Sequence, residues 1–166
     1  MNVRRIIMRV ALATLMLSGS VTATAMEPSL WLRYPAISSD AEQIAFSHRG
    51  DLWRVSSGGG TATHLTTSAA YDFMPVWSRD GKWIAFASNR YGNFDVFVMP
   101  SGGGAAKRLT WHSAHDYPAS FTPDGNNILF SSGRLDSRTM VGYPRRGSQP
   151  ELYSVSLEGG MPTQVL

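Results

Sequence analysis

One pattern occurs three times in this chain, and a chain that repeats is confined to folds assembled from repeated units. PAISSDAEQIAF begins at Pro35, PVWSRDGKWIAF at Pro75 and PASFTPDGNNILF at Pro118. Asp40, Asp80 and Asp124 correspond, so the unit advances by 40 and then 44 residues. Each copy continues with an acidic residue that opens an alternating stretch: DLWRV from Asp51, DVFVM from Asp95 and ELYSV from Glu151. A glycine turn and a last short stretch follow, GGGTATHLT from Gly58, GGGAAKRLT from Gly102 and GGMPTQVL from Gly159.

Each copy reads as four short strands. In the middle copy the first covers 75–78, and Asp80-Gly81 turns the chain; Asp-Gly suits the positive φ angles of a type I′ hairpin. The second strand covers 83–88, with Trp83, Ala85 and Ala87 on one side and Ile84 and Phe86 on the other. Turn residues fill 89–93, the third strand covers 94–99 and the fourth 106–110. No helical stripe follows residue 25, so the expected class is all-β. Four strands per unit of this length, rich in Trp and Gly, describe a β-propeller blade. A sandwich also spaces short strands by turns, but it has no need to repeat the same turns in order. The blades are expected at about 30–67, 69–111 and 112–166. Propellers close with about four to eight blades. Three make an incomplete propeller, and the expectation is the front part of a longer protein.

Arg4, Arg5 and Arg9 precede an apolar stretch from Val10 to Leu17, and Ala23-Thr24-Ala25 resembles a small-residue cleavage site. Residues 1–25 therefore read as a signal peptide, cut before Met26, and the expected location is the bacterial periplasm. The apolar stretch is too short to span a bilayer, so no membrane span is expected in the mature form. The pI near 9.5 misleads. Three of the 15 basic residues lie in that leader, leaving 12 against 12 acids. A neutral exported chain is a poor nucleic-acid binder, and none is expected as partner. With no cysteine there is no disulfide, thiolate metal site or thiol nucleophile.

His112, His115 and Asp116 form the one cluster with metal-ligand spacing, but it lacks a recognisable third ligand position. A hydrogen-bonded loop is the expectation, with no metal and no cofactor. Asp72 and Asp116 stand three and two residues before Pro75 and Pro118. They either line a blade entrance and bind substrate, or accept hydrogen bonds from turn N–H groups. Asp51, Asp95 and Glu151 are expected to pair between neighbouring blades, with Arg49, Arg90 or Arg134 as partners. The third copy carries an insertion at about 131–150, with Arg134, Arg138, Arg145 and Arg146 beside Asp136. Arg145 and Arg146 are candidate ligands for an acidic peptide terminus. Trp53, Trp77, Trp83, Phe97 and Phe121 alternate within strands and are expected to pack between blades. Gly58–Gly60 and Gly102–Gly104 lack the following helix of a phosphate loop. Neither G-x-S-x-G nor H-E-x-x-H occurs, so no catalytic residue is expected.

The stretches WLRYPAISSDAEQIAFSHRGDLWRV, YDFMPVWSRDGKWIAFASNRYGNFDVFVMP and HSAHDYPASFTPDGNNILFSSGRLD resemble the N-terminal propeller of bacterial, exported tricorn protease homologues. The blade motif is shared with TolB-type propellers. One departure is Asp40-Ala41, where the family pattern would have Asp-Gly. The resemblance implies a propeller that gates or delivers peptides to a serine peptidase core beyond Leu166. Its implied partners are peptides or a protein, the remaining blades and that core. The alternative is a non-catalytic, protein-binding periplasmic propeller of the TolB type. In that relative a separate domain precedes the propeller, whereas here the first blade starts close to the expected cleavage site.

Overall fold

The computed structural model describes residues 31–134 and 150–165. Each copy of the repeat forms its own four-stranded antiparallel meander. Blade one comprises β1 (Arg33–Ile37), β2 (Gln43–His48), β3 (Asp51–Ser56) and β4 (Thr63–His64). Blade two comprises β5 (Asp72–Trp77), β6 (Trp83–Ser88), β7 (Asp95–Pro100) and β8 (Lys107–Arg108). Blade three comprises β9 (Asp116–Phe121), β10 (Asn127–Ser132), β11 (Glu151–Ser156) and β12 (Thr163–Gln164). The described residues contain no helix, and three blades form an incomplete ring.

The period-two side-chain alternation of β6 and β7 gives blade two two apolar faces. Ile84, Phe86, Phe97 and Met99 turn toward blade one and meet Ala45, Leu52 and Leu65. Ala85, Val96, Val98 and Leu109 turn the other way, onto Ile128, Phe130, Tyr153 and Val155 of blade three. The core is thus two inter-blade layers rather than one centre. Polar ties cross the same seams. Trp77 Nε1 donates to Ala36 O at 3.0 Å, Arg54 Nη1 to Ser101 O at 3.0 Å, and Lys107 Nζ to Leu157 O at 2.9 Å.

One local expectation needs correction. The Asp-Gly turn is not type I′. Ser78 N–H bonds to Trp83 O at 2.9 Å and Gly81 N–H to Ser78 O at 3.0 Å, closing a four-residue connection. Gly81 takes φ 70° but Asp80 does not enter the left-handed region. Asp80 caps the turn instead, its Oδ1 accepting from Ser78 Oγ at 2.7 Å and from Lys82 N–H at 3.1 Å. Ser38 and Asp40, and Thr122 and Asp124, make the same contacts. The repeated unit is therefore Ser/Thr-x-Asp, whose side chains close the turn, and Ala41 adopts φ 62° where the other copies have glycine. A type I′ signature occurs elsewhere: His48 lies opposite Asp51, and Arg49 and Gly50 between them have φ 54° and 91°.

The one-residue offset of Asp116 has a structural cause. The β1–β2 and β5–β6 registers shift before Ala36 and Val76, with Tyr34 and Met74 at positive φ beside Pro35 and Pro75. In blade three the shift falls after Pro118, between Leu129 and Phe130 on the partner strand. The bulge has moved across the proline, so the acid stands one residue nearer to it.

Candidate functional site

An antiparallel meander alternates direction, so the first and third strands of every blade start at one end of the structure. The acidic residues of the repeat collect there. Asp72 and Asp116 open β5 and β9, and both are fully buried. Arg90 Nη2 donates to Asp72 Oδ2 at 2.8 Å, and Arg134 Nη2 donates to Asp116 Oδ2. Their backbone N–H groups bond to the preceding blade, at Gly50 O (2.7 Å) and Phe94 O (2.8 Å). Each aspartate thus clamps its own blade by side chain and the previous blade by backbone.

The acids of the third strands have partners other than those expected. Asp51 pairs with His64 Nε2 at 3.0 Å, Asp95 with Arg108 Nη2 at 2.7 Å, and Glu151 Oε2 accepts from Gln164 Nε2 at 2.8 Å. All three contacts run within one blade, to the fourth strand, at a constant spacing of 13 residues. Arg90 and Arg134, expected as inter-blade partners, pair with first-strand acids of their own blades, 18 residues before them. The reason is geometric: the third strand lies hydrogen-bonded beside the fourth, within direct reach, while a neighbouring blade stands a side-chain layer away. The Leu-Thr ending belongs to the same device. Leu65 and Leu109 are buried, and Thr66 and Thr110 Oγ1 each accept the N–H of Leu52 or Val96 at 3.0 Å. The paired spacings of 13 and 18 residues were readable in the sequence and are the signal that would have found these contacts.

An aromatic cluster bridges all three blades beside these acids. Phe73 meets Tyr34 at 5.2 Å and Phe94 at 4.9 Å, and Phe94 meets Tyr117 at 5.9 Å and His115 at 5.4 Å. Farther out, the Arg108 guanidinium lies between the exposed rings of Tyr91 (4.6 Å) and Trp111 (5.6 Å). Along the inner strands, Ala36, Ile37, Val76, Trp77 and Ala119 frame a cleft of about 380 Å³ to which all three blades contribute.

The remaining candidates distribute as follows. His115 Nδ1 accepts the N–H of Phe94 at 3.1 Å and His112 Nδ1 that of Ala114 at 3.0 Å, so both histidines fasten a loop. Among the described residues no three acids or histidines are grouped to hold a metal. Phe97 is buried between blades, with Trp77 and Phe121 packed at the margins of the two layers. Trp53 stacks on His64 at 4.0 Å. Trp83, at the outer end of β6, is 37% exposed and contributes least to the packing. Arg138, Arg145, Arg146 and Asp136 lie outside the described residues.

Burial pushes the Asp95 carboxyl above its ordinary value of 3.8; Arg108 opposes this and the nearby Asp116 charge adds to it. Asp40, Asp80 and Asp124 are held below 3.8, chiefly by the Ser38, Ser78 and Thr122 hydroxyls. The two groups act oppositely on stability. A raised carboxyl contributes most below 3.8 and loses its contribution as pH rises through its folded value; the lowered ones contribute above 3.8 and lose it as pH falls. On acidification Asp95 therefore works against the three turn aspartates. In Asp95→Asn, melting curves taken at successive pH values should show stability falling more steeply with acidification than in the parent chain, and an unchanged slope would show that Asp95 makes no such contribution.

Four-stranded antiparallel meanders, packed face to face with their first strands innermost, define the class as β-propeller. The family is shown by a match to the tricorn protease N-terminal beta propeller domain over residues 29–166, and the chain belongs to that family. Among solved structures, a putative TolB from Agrobacterium tumefaciens is similar at 23% identity and TM-score 0.68, over 84% of this chain and 50% of that one. TolB from Acinetobacter baumannii matches at 22% identity and TM-score 0.60, over 81% of this chain and 32% of that one. The tricorn protease matches at 19% and 0.55, over 76% of this chain and 14% of that one. The chain therefore spans half or less of each of these structures. At such identities the likeness is one of fold.

Proposed function

We propose that the chain is the leading propeller of an exported, tricorn-like serine peptidase, and that it receives peptides and passes them to a catalytic core outside this sequence. The observation that carries this is the family match over 29–166, continuous through all three blades. Residues 1–25 would direct the protein to the periplasm. The peptide would lie along the cleft between the inner strands, where Ser39, Ser78 and Arg79 join the apolar side chains and offer an extended chain both polar and apolar contacts. Asp72 and Asp116 would serve from behind this surface, by fixing Arg90 and Arg134 and the blade seams. Arg145 and Arg146 are proposed to meet acidic peptide ends.

The TolB structures, with the higher TM-scores, favour a second reading: a non-catalytic propeller that binds a folded periplasmic protein. The two separate by ligand size. Fluorescent peptides of about ten residues, added to the purified chain, should bind without being cleaved if the chain delivers peptides. Failure of every such peptide to bind, with capture of a folded envelope protein instead, would favour the TolB-type reading.

A further inference from the structure

Charges and aromatic rings are sorted between the two ends of the blades. The segments that lead into the first and third strands form one end, where the paired acids lie; those that lead into the second and fourth strands form the other. Among the described residues five acidic side chains are exposed, Asp40, Glu42, Asp80, Asp124 and Glu158, and all stand at the second end. Six Trp or Tyr side chains are exposed, and five of them, Trp31, Tyr34, Tyr71, Tyr91 and Trp111, stand at the first. Trp83 is the exception.

The first end has its own acids withdrawn from the surface. Asp72, Asp95 and Asp116 are buried against arginines, and Asp51 and Glu151 are engaged by His64 and Gln164. Arg33 and Arg49 are exposed there, and neither has a carboxylate partner among the described residues. The rings around them are braced from beneath. Tyr34 and Tyr71 lean on Phe73 at 5.2 and 5.4 Å, Trp31 lies beside Arg33 at 5.3 Å, and the Arg108 guanidinium holds both Tyr91 and Trp111. Trp31, Tyr91 and Trp111 are nevertheless 69%, 66% and 61% exposed, so the packing of the blades does not account for them. Braced rings lose little freedom on meeting a partner.

Exposed Trp and Tyr beside unpaired arginines, with no exposed acid among them, are the composition that settles at a membrane interface. Indole and phenol rings sit among lipid headgroups, and cationic side chains are drawn to anionic lipid. The contributing residues come from two blades and from the connections between blades, all at one level along the strands, which suits a flat partner. We infer that this end of the propeller rests on an anionic phospholipid bilayer, as a peripheral contact that spans nothing. Trp31, Tyr91 and Trp111 enter the headgroup layer, and Arg33 and Arg49 supply the attraction to its phosphates. Ile37, Ser39, Ser78 and Arg79 of the inner cleft stand at the opposite end, so the contact leaves them open to solvent. The inference rests on the sorting of charge and rings, not on the delivery of peptides.

Quenching of tryptophan fluorescence by brominated lipid tests it. The full chain is added to vesicles of brominated phosphatidylcholine, either alone or with about one-third phosphatidylglycerol. The anionic vesicles should bind at least about threefold more tightly and quench part of the emission. Trp111→Phe should remove part of that quenching, and Trp83→Phe, at the opposite end, none of it. Arg33→Gln combined with Arg49→Gln, both at exposed side chains, should reduce binding to the level of neutral vesicles and leave the melting temperature in place. Residues 1–30 contain no tryptophan. Attachment through the apolar stretch 10–17 alone would therefore quench Trp111 no more than Trp83, and that result would overturn the inference. Equal binding to both kinds of vesicle would overturn it too. Failure to bind either, with capture of an acidic protein that the double arginine variant loses, would give this face to a protein and reject the bilayer.

Discussion

Arg134→Ala should lower stability by about 3–5 kcal/mol, the usual result of leaving one member of a buried ion pair alone. Asp116 is fully buried, and the Arg134 side chain is 5% exposed, so water does not replace the lost guanidinium. Arg134 also lies over the Phe130 ring at 5.2 Å and the Tyr153 ring at 5.0 Å, and its removal loosens that stack. In urea, with a slope of about 1–3 kcal/mol per molar, the midpoint should fall by 1 M or more. The double variant Asp116→Leu with Arg134→Met should recover much of the loss, because apolar side chains need no counter-charge. Lys82→Ala provides the contrast. Its pair with Asp80 spans 3.5 Å between side chains 76% and 50% exposed, and exposed pairs are worth about 0–1 kcal/mol. A loss under 1 kcal/mol for Arg134→Ala would mean that the Asp116 clamp is not what holds blade three.

The second large effect is expected at Phe86→Ala. Phe86 is fully buried between blades one and two, stacked on Phe97 at 5.8 Å and lying under Arg90 at 5.5 Å. Truncating a buried phenylalanine costs about 3–5 kcal/mol through lost transfer energy and the cavity left behind. The distribution of the loss is the sharper test. Repeats are coupled chiefly through their neighbours, so the damage should concentrate at one seam. Amides of β2 and β3 should lose hydrogen-exchange protection, while those of β10 and β11, on the far side of blade two, largely keep theirs. Equal loss in all three blades would show a single cooperative unit and defeat the picture of two separate layers.

The repeat, the four strands per copy and the all-β class were legible in the sequence because each is local. Period-two alternation in WIAFAS assigns Ile84 and Phe86 to one face and Ala85 and Ala87 to the other, and the two packed layers follow that division. The Asp-Gly pairs marked turns correctly but not their type, since the deciding contacts come from Ser78 and Thr122 two residues earlier. A dipeptide does not reveal that its aspartate is a cap.

Partner choice was not legible. Asp95 had several arginines within plausible reach along the chain, and only the pairing of β7 with β8 brings Arg108 to it while leaving Arg90 to Asp72. Local sequence by itself determined how many strands form and which of their faces are apolar, because backbone geometry and side-chain period act over a few residues. Tertiary structure decided which of several possible charge partners neutralise one another, because strand pairing fixes the distances between them and turns the regular spacings of 13 and 18 residues into contacts.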